Sequence, residues 1–208
     1  MKKWLAAAVA LASVALAGCT ASDAATKPAI SAAATPEGTY KGLELQPAQP
    51  RPTFTLTDTA GQPYDFAAKT RGVPTLLYFG YTHCPDVCPT AMADTAIALR
   101  GVPSALRDKV QVVFVTTDPA RDSGKVIAAW LRNFDVDLPV KFVGLTGTLA
   151  QVEAAQAAAK IEVASDGGQT HSAEQLLYGP DDYARVAYVS GSSPGDISHD
   201  LPIVAKEA

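Results

Sequence analysis

The stretch Thr75-Leu-Leu-Tyr-Phe-Gly-Tyr-Thr-His-Cys-Pro-Asp-Val-Cys-Pro-Thr90 limits what this chain can become more than any other part of it. Thr75 to Phe79 is a continuous apolar run between Pro74 and Gly80, the pattern of a strand covered on both faces. A tight turn at Gly80 then delivers Cys84 and Cys88 to the mouth of the next helix. The residue before a proline is pushed out of helical φ/ψ, so Pro85 and Pro89 predict that both cysteines are extended or turn-like. Pro89 suits the first helical position, where its missing donor is not needed. That makes Cys88 the N-cap, with its sulfur near the positive end of the helix. A thiol so placed ionises readily, and the thiolate is both nucleophile and metal ligand. Two sulfurs four residues apart can close as a disulfide or grip one soft metal ion. Spacing alone leaves both open.

The start of the chain predicts export. Lys2 and Lys3 precede an apolar run from Leu5 to Leu16, too short for a comfortable permanent span, and small residues follow. Leu16-Ala17-Gly18-Cys19 resembles the bacterial lipoprotein cleavage box, which implies a signal peptide over 1–18 and a lipidated Cys19. Losing 1–18 removes two of the 17 basic residues and none of the 21 acidic ones, moving the charge from −4 to −6. Nothing in that balance suggests nucleic-acid binding. With Cys19 lipidated, the exported part keeps two thiols, in a compartment where a pair tends to be oxidised unless reduced or metallated.

Residues 19–50, rich in Ala, Thr, Pro and Ser, read as a flexible tether, with an early strand or arm possible over Gly38 to Leu45. The globular domain is expected over 51–208. It opens with a hairpin, Thr53 to Asp58 and Pro63 to Phe66, about the turn Thr59-Ala-Gly-Gln62. After the Thr75 strand come a helix over Thr90 to Arg100, a strand over Val110 to Val115 and a helix capped by Asp122 or Ser123 that runs to Phe134. A short strand at Phe142-Val143, a helix over Leu149 to Lys160 capped by Thr148, and a polar loop over Ala164 to Thr170 follow. A closing hairpin (Glu174 to Tyr178, Ala184 to Val189) and a short helix over Asp200 to Lys206 complete the order. Alternating strands and helices before a hairpin predict an α/β, thioredoxin-like sandwich: a central mixed sheet flanked by helices, with an N-terminal β-hairpin. The cysteines lie beyond the carboxyl end of a central strand, where such folds place their sites.

Phe79-Gly-Tyr-Thr-His-Cys-Pro-Asp-Val-Cys-Pro89 resembles the cysteine motif of the Sco/SenC family. Asp118-Pro119-x-Arg121-Asp122, Phe142-Val-Gly-Leu-Thr-Gly147 and His171-Ser172 are similar to three further blocks of that family, and the resemblance covers about residues 50 to 190. Thr170 stands where the family usually has Asp, and Gly179-Pro180-Asp181-Asp182 where it usually has Asp-Pro-Asp-Gly. The resemblance implies a copper ion, Cu(I) or Cu(II), held by Cys84, Cys88 and His171. It also implies delivery to the dinuclear copper centre in subunit II of cytochrome c oxidase, on the extracytoplasmic face of the cell membrane, with an upstream copper donor or thiol reductant. Two thiolates and an imidazole form a soft set suited to Cu(I).

Other readings stand beside this one. Cys84 and Cys88 could be the redox pair of a thiol-disulfide oxidoreductase, Cys84 attacking and Cys88 resolving. A structural disulfide would staple a five-residue loop for little gain in chain entropy. A peroxidase of this fold would place Thr-x-x-Cys before its reactive thiol, and Thr82-His83-Cys84 misses that spacing by one residue. In the remaining reading the pair is inert in a binding lipoprotein. His83 can at most tune the neighbouring thiol, because adjacent side chains diverge in an extended segment. His199 reads as a surface residue. Asp86 is a solvated turn residue or a partner contact, and Asp118 with Arg121 reads as a bridge within its loop.

Overall fold

The structure is a computed structural model that describes residues 39–169 and 172–207. The expected signal peptide, Cys19, most of the expected tether, Thr170 and His171 lie outside the described residues.

Eight strands form one sheet: β1 (Leu43–Pro50), β2 (Thr55–Asp58), β3 (Pro63–Asp65), β4 (Thr75–Gly80), β5 (Gln111–Thr116), β6 (Val143–Thr146), β7 (Gln175–Tyr178) and β8 (Tyr183–Tyr188). Their spatial order is β1-β8-β7-β4-β5-β6-β2-β3. β4, β5 and β6 are parallel neighbours, while β7, β8 and β1 on one side and β2 and β3 on the other pair antiparallel. The mixed sheet and the N-terminal hairpin are those expected. Its helices are α1 (Phe66–Thr70), α2 (Val87–Gly101), α3 (Ser104–Arg107), α4 (Gly124–Asp135), α5 (Leu149–Ala158) and α6 (Pro194–Val204).

Strand periodicity divides the core in two. Leu76 and Tyr78 of β4 face Met92 and Leu99 of α2, Ile127 and Leu131 of α4 and Leu201 of α6. Leu77 and Phe79 point the other way, toward Phe66 of α1 and Val152 and Ala155 of α5. All six residues of β4 are buried, each large apolar one contributing on the order of 2 kcal/mol. This rigid central strand carries the cysteine loop at its carboxyl end.

Several boundaries differ from expectation: β6 runs to Thr146, Phe66 opens the short helix α1 rather than ending the hairpin, and α3 is an added turn of helix. Residues 43–50 of the expected tether form the edge strand β1. Among them Leu45 is buried, and the chain just ahead is fixed where the buried Asp200 carboxylate accepts the N–H groups of Lys41 and Gly42 at 2.8 and 2.9 Å. The last helix begins six residues earlier than expected. Pro194 at N1 forfeits no hydrogen bond, and Ser193 with Asp196 forms a capping box that starts the helix there. Helix α2 begins at Val87, ahead of Pro89. Elsewhere Ser123 and Thr148 cap their helices, Thr148 through a capping box. Among the described residues no helix is long and apolar enough to cross a membrane.

Candidate metal and redox site

Gly80 ends β4 with no room for a side chain. A Cβ there would lie 2.7 Å from Cε1 of Tyr78 and 2.9 Å from Cys88 Sγ. The chain then turns, the Cys84 N–H reaching the Tyr81 carbonyl at 3.3 Å, so Cys84 is non-helical as expected. Cys88 is not. It is the second residue of α2 and Asp86 is the N-cap, which corrects the expectation that Cys88 caps the helix. Pro89 therefore occupies the third helical position. A proline is tolerated anywhere in the first turn, because no carbonyl one turn back awaits its N–H.

This shift exchanges the roles of the two sulfurs. The Asp86 side chain makes no capping bond. Instead Cys84 Sγ accepts the Cys88 N–H at 3.4 Å, with the N–H groups of Asp86 and Val87 also directed to it. A sulfur thus does the work of a capping oxygen. Burial would raise the Cys84 thiol, but these backbone donors and its bond with Cys88 prevail and hold it below the ordinary thiol value. Cys88 Sγ is fully buried, and desolvation pushes its thiol up to about 12. Both thiols are reduced, with no disulfide between them. One is half-exposed and disposed to ionise; the other is sealed beneath it.

Two tyrosines of the same stretch meet the pair. The Tyr78 hydroxyl lies 3.6 Å from Cys88 Sγ, and Tyr81 is hydrogen-bonded to Cys84. The guanidinium of Arg121 lies 5.9 Å from the Tyr81 ring centroid and pairs with the buried Asp118. Asp118 and Arg121 thus form the expected bridge within their loop.

Asp122 closes the Asp118-Pro119-x-Arg121-Asp122 block and is one of two candidate caps for the next helix. Ser123 fills that role, and the buried Asp122 carboxylate reaches across to the cysteine loop instead. It accepts the Thr82 N–H at 2.9 Å, the Thr82 hydroxyl and the Thr116 hydroxyl at 2.7 Å. Exposed His83 turns its Nδ1 to this carboxylate at 3.4 Å and to the Thr82 hydroxyl at 3.1 Å. Asp86 is exposed, and His199 lies within α6, its Nδ1 2.8 Å from Asp200.

His171 lies outside the described residues, but its flanks on both sides are tied to the cysteine end of the sheet. Before it, the Thr117 hydroxyl donates to the Gly168 carbonyl at 2.6 Å while the Thr117 N–H donates to the Gly80 carbonyl at 2.7 Å. Gly168 has φ +95°, and a Cβ there would lie 1.8 Å from the Thr117 carbonyl oxygen, so this approach requires glycine. After it, buried Gln175 pairs with Tyr78 in the β4–β7 ladder and exchanges hydrogen bonds with Thr95 of α2. Among the described residues no three His, Cys, Asp or Glu side chains are grouped to hold a metal ion.

The SCO1/SenC family model matches residues 44–205. The mouse mitochondrial SCO2 homolog is 41% identical over 101 residues, 48% of this chain and 37% of its own. The mitochondrial protein SCO2 of Saccharomyces cerevisiae is 35% identical over 100 residues, 48% of this chain and 32% of its own. The chain thus spans about a third of the length of these two curated relatives. The structure of Bradyrhizobium japonicum ScoI with copper bound superimposes with a TM-score of 0.61 at 30% identity, covering 74% of this chain and 98% of that one. The thioredoxin-like α/β fold is common to both.

Proposed function

Because the chain belongs to the SCO1/SenC family, we propose that it is a membrane-tethered, extracytoplasmic copper chaperone. It binds one copper through Cys84, Cys88 and His171 and delivers it to the dinuclear copper centre of cytochrome c oxidase subunit II. The observation that carries this reading is the asymmetric thiol pair: Cys84 half-exposed and inclined to thiolate, Cys88 buried behind it. Two sulfurs and an imidazole are a soft donor set that suits Cu(I) and tolerates Cu(II). The ties at Gly168 and Gln175, which hold the chain on both sides of His171 to the cysteine end of the sheet, support His171 as the third donor. The copper-bound relative at 30% identity supports the metal.

Copper here is cargo. Each thiol surrenders its proton as it becomes a ligand. Cys84, already held low, gives its proton up first, and Cys88 follows once a cation is adjacent to offset its buried charge. For release, the half-exposed Cys84 is the ligand an incoming thiolate can displace, with Cys88 holding until last. A lipidated Cys19 anchors the protein, and a tether of about twenty residues, 20–40, gives a reach on the order of 25 Å from the membrane surface.

A second reading shares this geometry and is favoured by the lowered Cys84 thiol: a thiol-disulfide oxidoreductase that reduces the recipient's copper-ligand cysteines. Cys84 thiolate attacks one sulfur of the partner disulfide and releases the other as a thiolate. Cys88, on losing its proton, then attacks the Cys84 sulfur of the mixed disulfide and expels the partner's second sulfur as a thiolate, so the partner leaves as a dithiol and this chain as a disulfide. One paired experiment separates the readings. Copper-loaded protein is mixed with the reduced soluble domain of subunit II, and copper-free dithiol protein with the oxidised domain. Copper transfer in the first mixture establishes the chaperone. Reduction in the second with no transfer in the first would replace it by the reductase.

A further inference from the structure

We infer that Tyr78 is a positioning residue for the cysteine pair, its buried hydroxyl holding the Cys88 sulfur as a hydrogen-bond acceptor and thereby biasing the pair against the disulfide. This deepens the reading of Cys84 and Cys88 as one metal and redox site, and rests on it.

The hydroxyl is built into place. Tyr78 lies in the central strand with its backbone registered against Phe114 of β5 and Gln175 of β7. Its ring stacks on that of Phe114, centroids 6.3 Å apart and planes 28° from parallel. At Gly80 the missing side chain leaves just the space that the ring edge and the sulfur share. Tyr78 and Cys88 are both fully buried, and the Tyr78 hydroxyl lies 3.6 Å from Cys88 Sγ. Burying the hydroxyl carries a desolvation cost that phenylalanine would avoid, and the hydrogen bond to the sulfur offsets it. The backbone N–H of Tyr81 is directed to the same sulfur, which gives Cys88 two donors on rigid backbone.

A donor of this kind discriminates between states of the sulfur. A metal-bound thiolate is electron-rich and accepts strongly, a thiol accepts less, and a disulfide sulfur least. Tyr78 therefore stabilises the dithiol and metal-thiolate forms over the disulfide. On a thiolate bound to copper it also draws electron density from sulfur.

The test uses the mature full-length protein carrying Tyr78→Phe. Copper-free protein is equilibrated with reduced and oxidised glutathione. In that reaction the Cys84–Cys88 bond breaks and takes up two electrons and two protons from two glutathione thiols, which leave joined as their own disulfide. Loss of the hydroxyl moves the equilibrium three- to tenfold toward the protein disulfide, a potential about 15 to 30 mV more negative. In the Cu(II)-loaded protein the thiolate-to-copper charge-transfer band moves to lower energy. The control is Tyr178→Phe, which removes a buried hydroxyl at the opposite end of the sheet, paired with Thr75 rather than Gln175, and leaves both readouts in place. Should Tyr78→Phe fail to fold, 3-fluorotyrosine at position 78 keeps the ring, strengthens the donor and moves the poise the opposite way. An unchanged poise in a folded variant overturns the inference, as does an equal shift from Tyr178→Phe. If the parent protein binds no copper, the chaperone reading falls while the glutathione poise still tests Tyr78.

Discussion

The two ends of β4 solve the same problem, a polar group held where water is scarce, in opposite ways. At the entering end, Arg51 is buried and four of its five N–H donors are engaged. Nε meets Asp182 at 2.7 Å, Nη1 the Thr70 hydroxyl at 2.9 Å, and Nη2 the carbonyls of Val73 and Gly179 at 3.1 and 2.9 Å. Its guanidinium also lies 5.0 Å from the Tyr178 ring centroid. Every partner is fixed and the charge never changes, so this end is a clamp. At the leaving end the buried polar atoms are sulfurs, weak acceptors as thiols and strong ones as thiolates, ringed by donors from Tyr78, Tyr81 and the first turn of α2. There the donors are in place before the charge arrives. The clamp end contributes stability; the sulfur end is preorganised for a change of charge.

The comparison breaks most visibly at the clamp. Arg51→Ala should lower unfolding stability by about 4 kcal/mol, because it strands buried partners of a charged group. Folded variant should keep its copper affinity; a parallel loss of affinity, measured by titration at a temperature where it is folded, would mean the ends are not separable. At the other end, Asp122→Ala frees the Thr82 N–H and two hydroxyls in a buried site, for a loss of about 3 kcal/mol by denaturant unfolding. This variant should also weaken copper binding, since the loop carrying Cys84 loses its brace. Thiol alkylation sharpens the contrast within the sulfur end. Cys84 should react as its thiolate, with a rate that rises through a pKa below the ordinary thiol value and then levels. Cys88 should lag by about a hundredfold at neutral pH and gain only as pH approaches 12. Mass-resolved alkylation across pH checks this, and equal rates at the two cysteines would contradict it.

Much of this was legible in the sequence, for physical reasons. An unbroken apolar run between Pro74 and Gly80 has few homes other than a central strand, and the mixed sheet follows from the order of runs around it. Less legible was the exchange of roles between the sulfurs. The rule that proline displaces its predecessor from helical φ/ψ pointed to Cys88 as the cap, whereas Pro89 is tolerated inside the first turn and Cys84 supplies the capping atom. Asp122 sat in a recognised motif, yet its grip on Thr82 spans forty residues and has no local signature. The aim of the Tyr78 hydroxyl depends likewise on which face of β4 meets α2. Strand β1 was half legible: an early strand or arm over Gly38 to Leu45 overlaps its start, but the polar, proline-bearing stretch on to Pro50 reads as tether, and pairing with β8 makes it a strand.

The central claim is that two unequal cysteines and His171 hold one copper. Anaerobic Cu(I) titration of the reduced domain against a competing chelator, repeated with Cys84→Ser, Cys88→Ser and His171→Ala, tests it most directly. One tightly bound copper per chain is expected, with at least about a hundredfold loss of affinity with either serine and a smaller loss with His171→Ala that spares the glutathione poise. Stoichiometric copper binding that survives His171→Ala with unchanged affinity would contradict the three-ligand site. Absence of stoichiometric binding in the parent protein would leave the thiol pair to redox exchange alone.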